Sequence, residues 1–302
     1  MKFGMVHRLN FIKKMTKEYL SILKNADENC ITYYVGDNIE HVKHLKNCKL
    51  ICKNEFNPKL ENVELIHTTD PQLYFYKLSK NYKEDYLDND NLIWDEKFKC
   101  HIHKDVQIGK NVRIGVGSVI GKCIIGDNTE IHSNVVIYSK TNIGENCIIE
   151  SNTTLGCTGA MWVWDGDDRV YLEQLGNLII EDNVRIGSQC EIVRGSANES
   201  TIIKTGSIIS HGCLIGHGNV IGKYVHMANG VKLGGGCVIG DRNFLGSGSV
   251  VSAGIKLLSK NIILGAGSVV TKDLIQEGIY FGIPAKRKRD IKENMKGIPR
   301  WN

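Results

Sequence analysis

The sequence predicts a mainly β chain wound as a parallel β-helix, and three regularities carry that prediction. Aliphatic residues recur at every sixth position, a small or β-branched residue stands four places after many of them, and glycine commonly follows them directly. The first series runs unbroken through Ile203, Ile209, Ile215, Ile221, Met227, Leu233, Ile239, Leu245 and Val251. A hexapeptide period is the signature of a three-faced prism in which short strands point one large residue inward and a coil takes about 18 residues. Successive coils then stack at the strand spacing of about 4.8 Å.

Upstream the same period passes through Ile102, Ile108, Ile114 and Ile120, slips by one, and continues through Ile125, Ile131, Ile137, Ile143, Ile149 and Leu155. Ile180, Ile186 and Ile192 precede the long series, and after a second slip Leu258, Leu264 and Val270 follow it. The β-helix domain is thus expected over 98–275. The second inward position holds Val112, Ser118, Thr129, Val135, Thr141, Thr153, Val184, Ser207, Val225, Val231 and Ser249. Cys123, Cys147, Cys190, Cys213 and Cys237 share it, which predicts packing rather than metal binding for those thiols. Glycine after the large residue is expected to serve a tight corner with a backbone angle costly for other residues.

Two segments interrupt the period. Residues 156–178, "GCTGAMWVWDGDDRVYLEQLGNL", carry two tryptophans and an Asp-Gly turn signal and predict a hairpin thrown out from a corner. The second is "VRGSANESTI" between Ile192 and Ile203, and such loops often build sites. The chain of 302 residues is 42% apolar and 24% charged, a globular balance, with a net charge of +5. No segment has the length of apolar residues a membrane span needs, and the N-terminus lacks a signal-peptide core, so the expected location is cytoplasmic. Nothing in the charge pattern calls for nucleic acid. Residues 276–302 form a basic C-terminal tail, where Lys286, Arg287, Lys288 and Arg289 are either solvated charges or phosphate contacts.

The glycines of "HGCLIGHGNVIGKYVHMANGVKLGGGCVIG" follow the corner period and match neither dinucleotide nor P-loop spacing. His211 and His217 fall two places after a large residue, at corners, where side chains project outward. The run from Gln174 to Gly222, with its "QLG", "RG" and "IGHG" elements, resembles the core of the UDP-3-O-acylglucosamine N-acyltransferases of lipid A synthesis. Residues 31–82 are similar to that family's small N-terminal uridine-binding domain, which implies an α/β domain over 1–97. The pattern as a whole resembles left-handed parallel β-helices. The family's second histidine falls near Gly254, a departure, and the ending "LGAGSVVTKD" through "GIPAKRKR" instead resembles hexapeptide acetyltransferases that use acetyl-CoA.

The resemblance implies a homotrimer that N-acylates a UDP- or dTDP-linked amino sugar, with His217 as catalytic base. The donor is a co-substrate, acyl-CoA or acyl carrier protein, and no permanently bound cofactor or metal is expected. Acyl transfer to an amine needs a base and a donor aimed at the developing oxyanion. Gly235 lies one coil beyond His217, so its amide is the expected oxyanion donor. Tyr33, Asn38 and His41 are the candidates for holding a nucleotide base, and Lys272, Lys286 and Arg287 for the phosphates of coenzyme A. The rival readings are a β-helix metal hydratase of the γ-carbonic anhydrase type, with His211, His217 and His226 as possible ligands, and a scaffold without activity.

Overall fold

The computed structural model describes residues 18–292 and divides into two compact units. The first joins the chain up to Glu84 with Ala160–Leu175 and Ser196–Glu199; the second is the rest. In the first unit, β1 (Tyr19–Leu20), β2 (Cys30–Tyr33), β3 (Lys49–Lys53) and β4 (Glu64–Thr68) form a parallel sheet in that order. Helix α1 (Pro71–Ser79) starts where Asp70 accepts from Leu73 N at 2.9 Å and proline occupies the first turn, where its missing N–H costs nothing.

Neighbouring residues on β2 and β3 point to opposite faces, as strand geometry requires. Ile31 and Ile51 pack with Phe75 and Tyr76 of α1, while Cys30, Leu50 and Cys52 join Val42, Leu45 and Phe56 in a separate cluster. The predicted hairpin is present as Trp162–Asp165 paired with Asp168–Tyr171, with Gly166 at φ 64° in the turn. Its Val163 and Val170 join the Phe75 cluster. Trp162, Trp164, Arg169 and Tyr171 occupy the opposite, exposed face, where the Arg169 guanidinium lies 4.6 and 5.3 Å from the two indole centroids.

The second unit is a left-handed β-helix whose three sheets hold 8, 10 and 10 strands, most of two residues. Every large residue of the six-fold series is buried except Ile108, which is partly so, and Leu258, which is 53% exposed. Leu257 takes the inward position instead, so the period runs unslipped from Val251 and gains its extra residue before Leu264. Full burial of each such side chain is worth about 1.5–3 kcal/mol, and truncating one to alanine would cost about 2–5 kcal/mol.

The second inward column is also buried throughout, and its hydroxyls stitch coil to coil. Thr129 donates to Gly144 O at 2.9 Å and accepts from Cys147 N; Ser207 donates to Gly222 O at 2.8 Å and accepts from Val225 N. All ten cysteines are buried thiols, and burial pushes that of Cys123 up to about 12. No helix among the described residues is long and apolar enough to cross a membrane.

The glycine that follows each large residue has a different cause from the one expected. At Gly115 a Cβ would stand 2.4 Å from Ser133 N of the next coil, so close stacking, not backbone angle, excludes side chains there. The left-handed angle falls two residues later, on Asn134 (φ 59°) or Gly218 (φ 64°) and their equivalents. Between these two positions lies the corner residue whose amide faces outward. That amide is repeatedly capped from the next coil: Lys110 N by Asp127 at 2.7 Å, Glu145 N by Asp182 at 2.8 Å, Lys223 N by Asp241 at 2.8 Å. At the C-terminal end, Lys286–Arg289 pairs antiparallel with Gly278–Phe281.

Candidate active site

His217 and Gly235 are successive members of one corner column, each two places after an inward residue, Ile215 and Leu233, whose strands pair in register. A Cβ built on Gly235 would lie 2.3 Å from His217 Nε2 and 2.6 Å from Cδ2. The imidazole therefore lies over the Gly235 Cα, and the missing side chain is what admits it. The next residue of the column is Ala253, which carries no acceptor. Some corners cap the outward amide with a side chain, as at Lys110 and Lys223, whereas Gly235 N, like Ser133 N and Ser151 N, has no hydrogen-bond acceptor among the described residues. A partly buried imidazole thus stands beside an uncapped backbone donor.

Beneath this corner lies Asn219, fully buried in the second inward column. Its Nδ2 donates to Gly216 O at 2.7 Å and Gly234 O at 3.0 Å, and its Oδ1 accepts from Cys237 N at 2.8 Å. Sequence reading passed over Asn219, although a carboxamide in a column of valine, serine, threonine and cysteine was a visible irregularity. Arg194, one coil before His217, was also passed over. It is wholly buried, donates to Gly156 O at 2.7 Å and Ser139 O at 2.9 Å, and stacks 3.6 Å from the Tyr86 ring centroid.

The other histidines have structural surroundings. His211, at a different corner, accepts from Ser188 N at 3.0 Å in the capping role that aspartate fills elsewhere, with Ser188 Oγ at 2.9 Å and Glu150 at 3.6 Å. His226 lies on a strand, edge-on to Phe244 with ring centroids 5.1 Å apart, and burial holds its pKa below the usual histidine value. Among the described residues, no group of three or more His, Cys, Asp or Glu side chains could hold a metal ion. A shallow depression of about 380 Å³ lined by Arg113, Glu130, His132, Ser133 and Ser151 lies elsewhere on the prism, and its guanidinium is paired with Glu130.

In the first unit, Asn38 and His41 meet, but around Tyr34 rather than Tyr33. The Tyr34 hydroxyl donates to Asn38 O at 3.2 Å and lies 2.9 Å from His41 Nδ1. Tyr33, on the opposite face of β2, packs on Phe75 with centroids 4.8 Å apart, and burial raises its hydroxyl to about 12. At the far end of the prism, Lys272 and Lys286 are exposed. Arg287 is engaged: it donates to Glu277 O at 3.1 and 3.0 Å and pairs with Asp290. Lys288 lies 5.6 Å from the Phe281 centroid.

Two family models match this unit: bacterial transferase hexapeptide, six repeats, over residues 122–157, and the hexapeptide repeat of succinyl-transferase over 238–272. Transferase hexapeptide repeats are thus matched over those two stretches of the prism. Among curated proteins, the chain is similar in part to UDP-3-O-acylglucosamine N-acyltransferases. That of Polynucleobacter asymbioticus is 35% identical over 119 residues, which cover 36% of this chain and 33% of the relative. That of Coxiella burnetii is 34% identical over 151 residues, covering 50% of this chain and 44% of the relative. The chain thus spans a third to less than half the length of these relatives. Among solved structures, the chain is similar to the UDP-N-acetylglucosamine acyltransferase of Francisella novicida. The TM-score is 0.58 and the identity 27%, over 65% of this chain and 70% of that one. The Acinetobacter baumannii LpxA structure gives 0.55 and 26%, over 63% and 72%.

Proposed function

We propose that the protein is an N-acyltransferase that moves a short acyl group from a coenzyme A thioester to the amine of a nucleotide-linked amino sugar. The observation that carries this reading is the His217–Gly235 corner, an imidazole beside an uncapped backbone amide. The amine nitrogen attacks the thioester carbonyl, and His217 removes a proton from it as the C–N bond forms. The Gly235 N–H stabilises the oxyanion of the tetrahedral intermediate. Collapse breaks the C–S bond, and the proton held by His217 passes to the departing thiolate, leaving an amide and a free thiol. The balance needs no other reactant.

The similarity to acyltransferases named for UDP-linked glucosamine supports a UDP-amino sugar as acceptor and a role in cell-surface glycan or lipid A-type synthesis. Asn38 and His41 are assigned to the nucleotide together with Tyr34, which takes the place of Tyr33 because Tyr33 packs on Phe75. Lys272 and Lys286 are assigned to the donor's phosphates, with Arg287 holding the strand that carries Lys286. A cytoplasmic homotrimer completes the reading, since a base on one corner needs a neighbouring wall to exclude water. A thiol-release assay with acetyl-CoA against UDP- and dTDP-amino sugars tests it. Turnover with one amino sugar is expected. Turnover only with an acyl carrier protein donor would replace the coenzyme A assignment, and sedimentation of the active protein at 33.7 kDa would remove the trimer.

A further inference from the structure

We infer that Asn219 is a positioning residue: its buried carboxamide fixes the Gly234–Gly235 peptide so that the Gly235 N–H faces out beside His217. This rests on the acyl-transfer reading for its consequence, but its geometry does not. Gly234 O and Gly235 N belong to one planar trans peptide, in which C=O and N–H point in opposite directions. Asn219 Nδ2 holds Gly234 O inward at 3.0 Å, so the N–H of the same peptide points outward. The same nitrogen holds Gly216 O at 2.7 Å, which orients the Gly216–His217 peptide in the same sense. Oδ1 accepts from Cys237 N at 2.8 Å and fixes the carboxamide, so its rotation is settled by three partners. A hydrogen bond to the carbonyl also polarises the amide and strengthens its N–H as a donor.

The fold does not itself demand asparagine in this column. Cys213, Val225, Val231 and Cys237 fill equivalent buried positions, and Ser207 makes the single bond to Gly222 O that keeps coils in register. Only a carboxamide spans both corner peptides at once. Asn243 supplies an internal control: it is buried in the same inward column beneath another corner, donating to Leu257 O at 3.4 Å and accepting from Ile262 N at 2.7 Å, with no histidine beside the peptide it holds.

Asn219→Val, Asn219→Ser and Asn243→Val, made in the full chain, separate positioning from packing. Asn219→Val should lower kcat about ten- to hundredfold, the scale of a misaligned oxyanion donor, with KM for both substrates unchanged. Asn219→Ser should recover most of that loss through the bond to Gly234 O. Asn243→Val should lower the unfolding midpoint but leave kcat alone. Unchanged kcat in Asn219→Val, or an equal fall in Asn243→Val, would overturn the inference. Crystal structures of the wild type and Asn219→Val decide the clamp independently of any reaction. A rotated Gly234–Gly235 peptide in the variant is expected, and an unmoved one would overturn the inference. Absence of acyl transfer by the wild type would instead remove the proposed function.

Discussion

Gly235→Ala is the substitution whose effect can be worked most fully from the geometry. The new Cβ would stand 2.3, 2.6 and 2.9 Å from Nε2, Cδ2 and Cε1 of His217, whereas non-bonded heavy atoms settle at about 3.5–4.0 Å. The imidazole must therefore retreat by about 1 Å or more, and misplacing a reacting group by about 1 Å costs on the order of 10² in rate. The backbone at Gly235 is not left-handed, and the atoms crowded are the end of a movable side chain, so folding should be little affected. Alanine keeps the N–H, so the loss belongs to the displaced base. Thiol-release kinetics should show kcat down about a hundredfold in Gly235→Ala and further in Gly235→Val. In a His217→Ala background the alanine substitution should add almost nothing, because the ring it displaces is gone. Full kcat in Gly235→Ala would refute the placement of the imidazole over Gly235.

Four further outcomes follow from the same structure. His211→Ala removes the cap on Ser188 N and should cost about 1 kcal/mol in denaturant unfolding while leaving kcat within a few-fold; a loss as large as that of His217→Ala would make His211 part of the chemistry. Arg194→Met takes the Arg194 donor from the buried Gly156 carbonyl and the half-buried Ser139 carbonyl and should destabilise the protein by about 2–4 kcal/mol, read from the shift in urea midpoint. Lys286→Glu should raise KM for acetyl-CoA, increasingly so at low salt, without altering kcat or the unfolding midpoint. Arg287→Glu should lower the midpoint as well, because Arg287 holds Glu277 O.

The prism was legible because its physics repeats. Each coil must send one large residue inward at the same interval, so Ile102 through Val251 announce their faces by spacing alone. The misplaced Leu258 shows the limit: two adjacent leucines both satisfy a period that has already slipped once, and only Leu257 pairs with the coil before it. The corner glycines were visible but their reason was not, since a clash with the next coil depends on stacking that a linear sequence does not display. His217 and Gly235 could be brought together by counting one coil, because the column has a fixed repeat. Asn38 and His41 gather on Tyr34 instead of Tyr33, because strand β2 turns alternate residues to opposite faces and its phase was not fixed by any repeat. Likewise, the segment 286–289 reads as a charged tail, yet it adds a strand through backbone bonds that are indifferent to lysine and arginine side chains.

The measurement that bears most directly on the central claim is turnover by His217→Ala. With acetyl-CoA and the best UDP- or dTDP-amino sugar of a panel, kcat should fall by about 10² to 10⁴, the usual contribution of a general base, with the unfolding midpoint and sedimentation unchanged. Retention of wild-type turnover by the folded His217→Ala protein would contradict the assignment of this corner as the catalytic site.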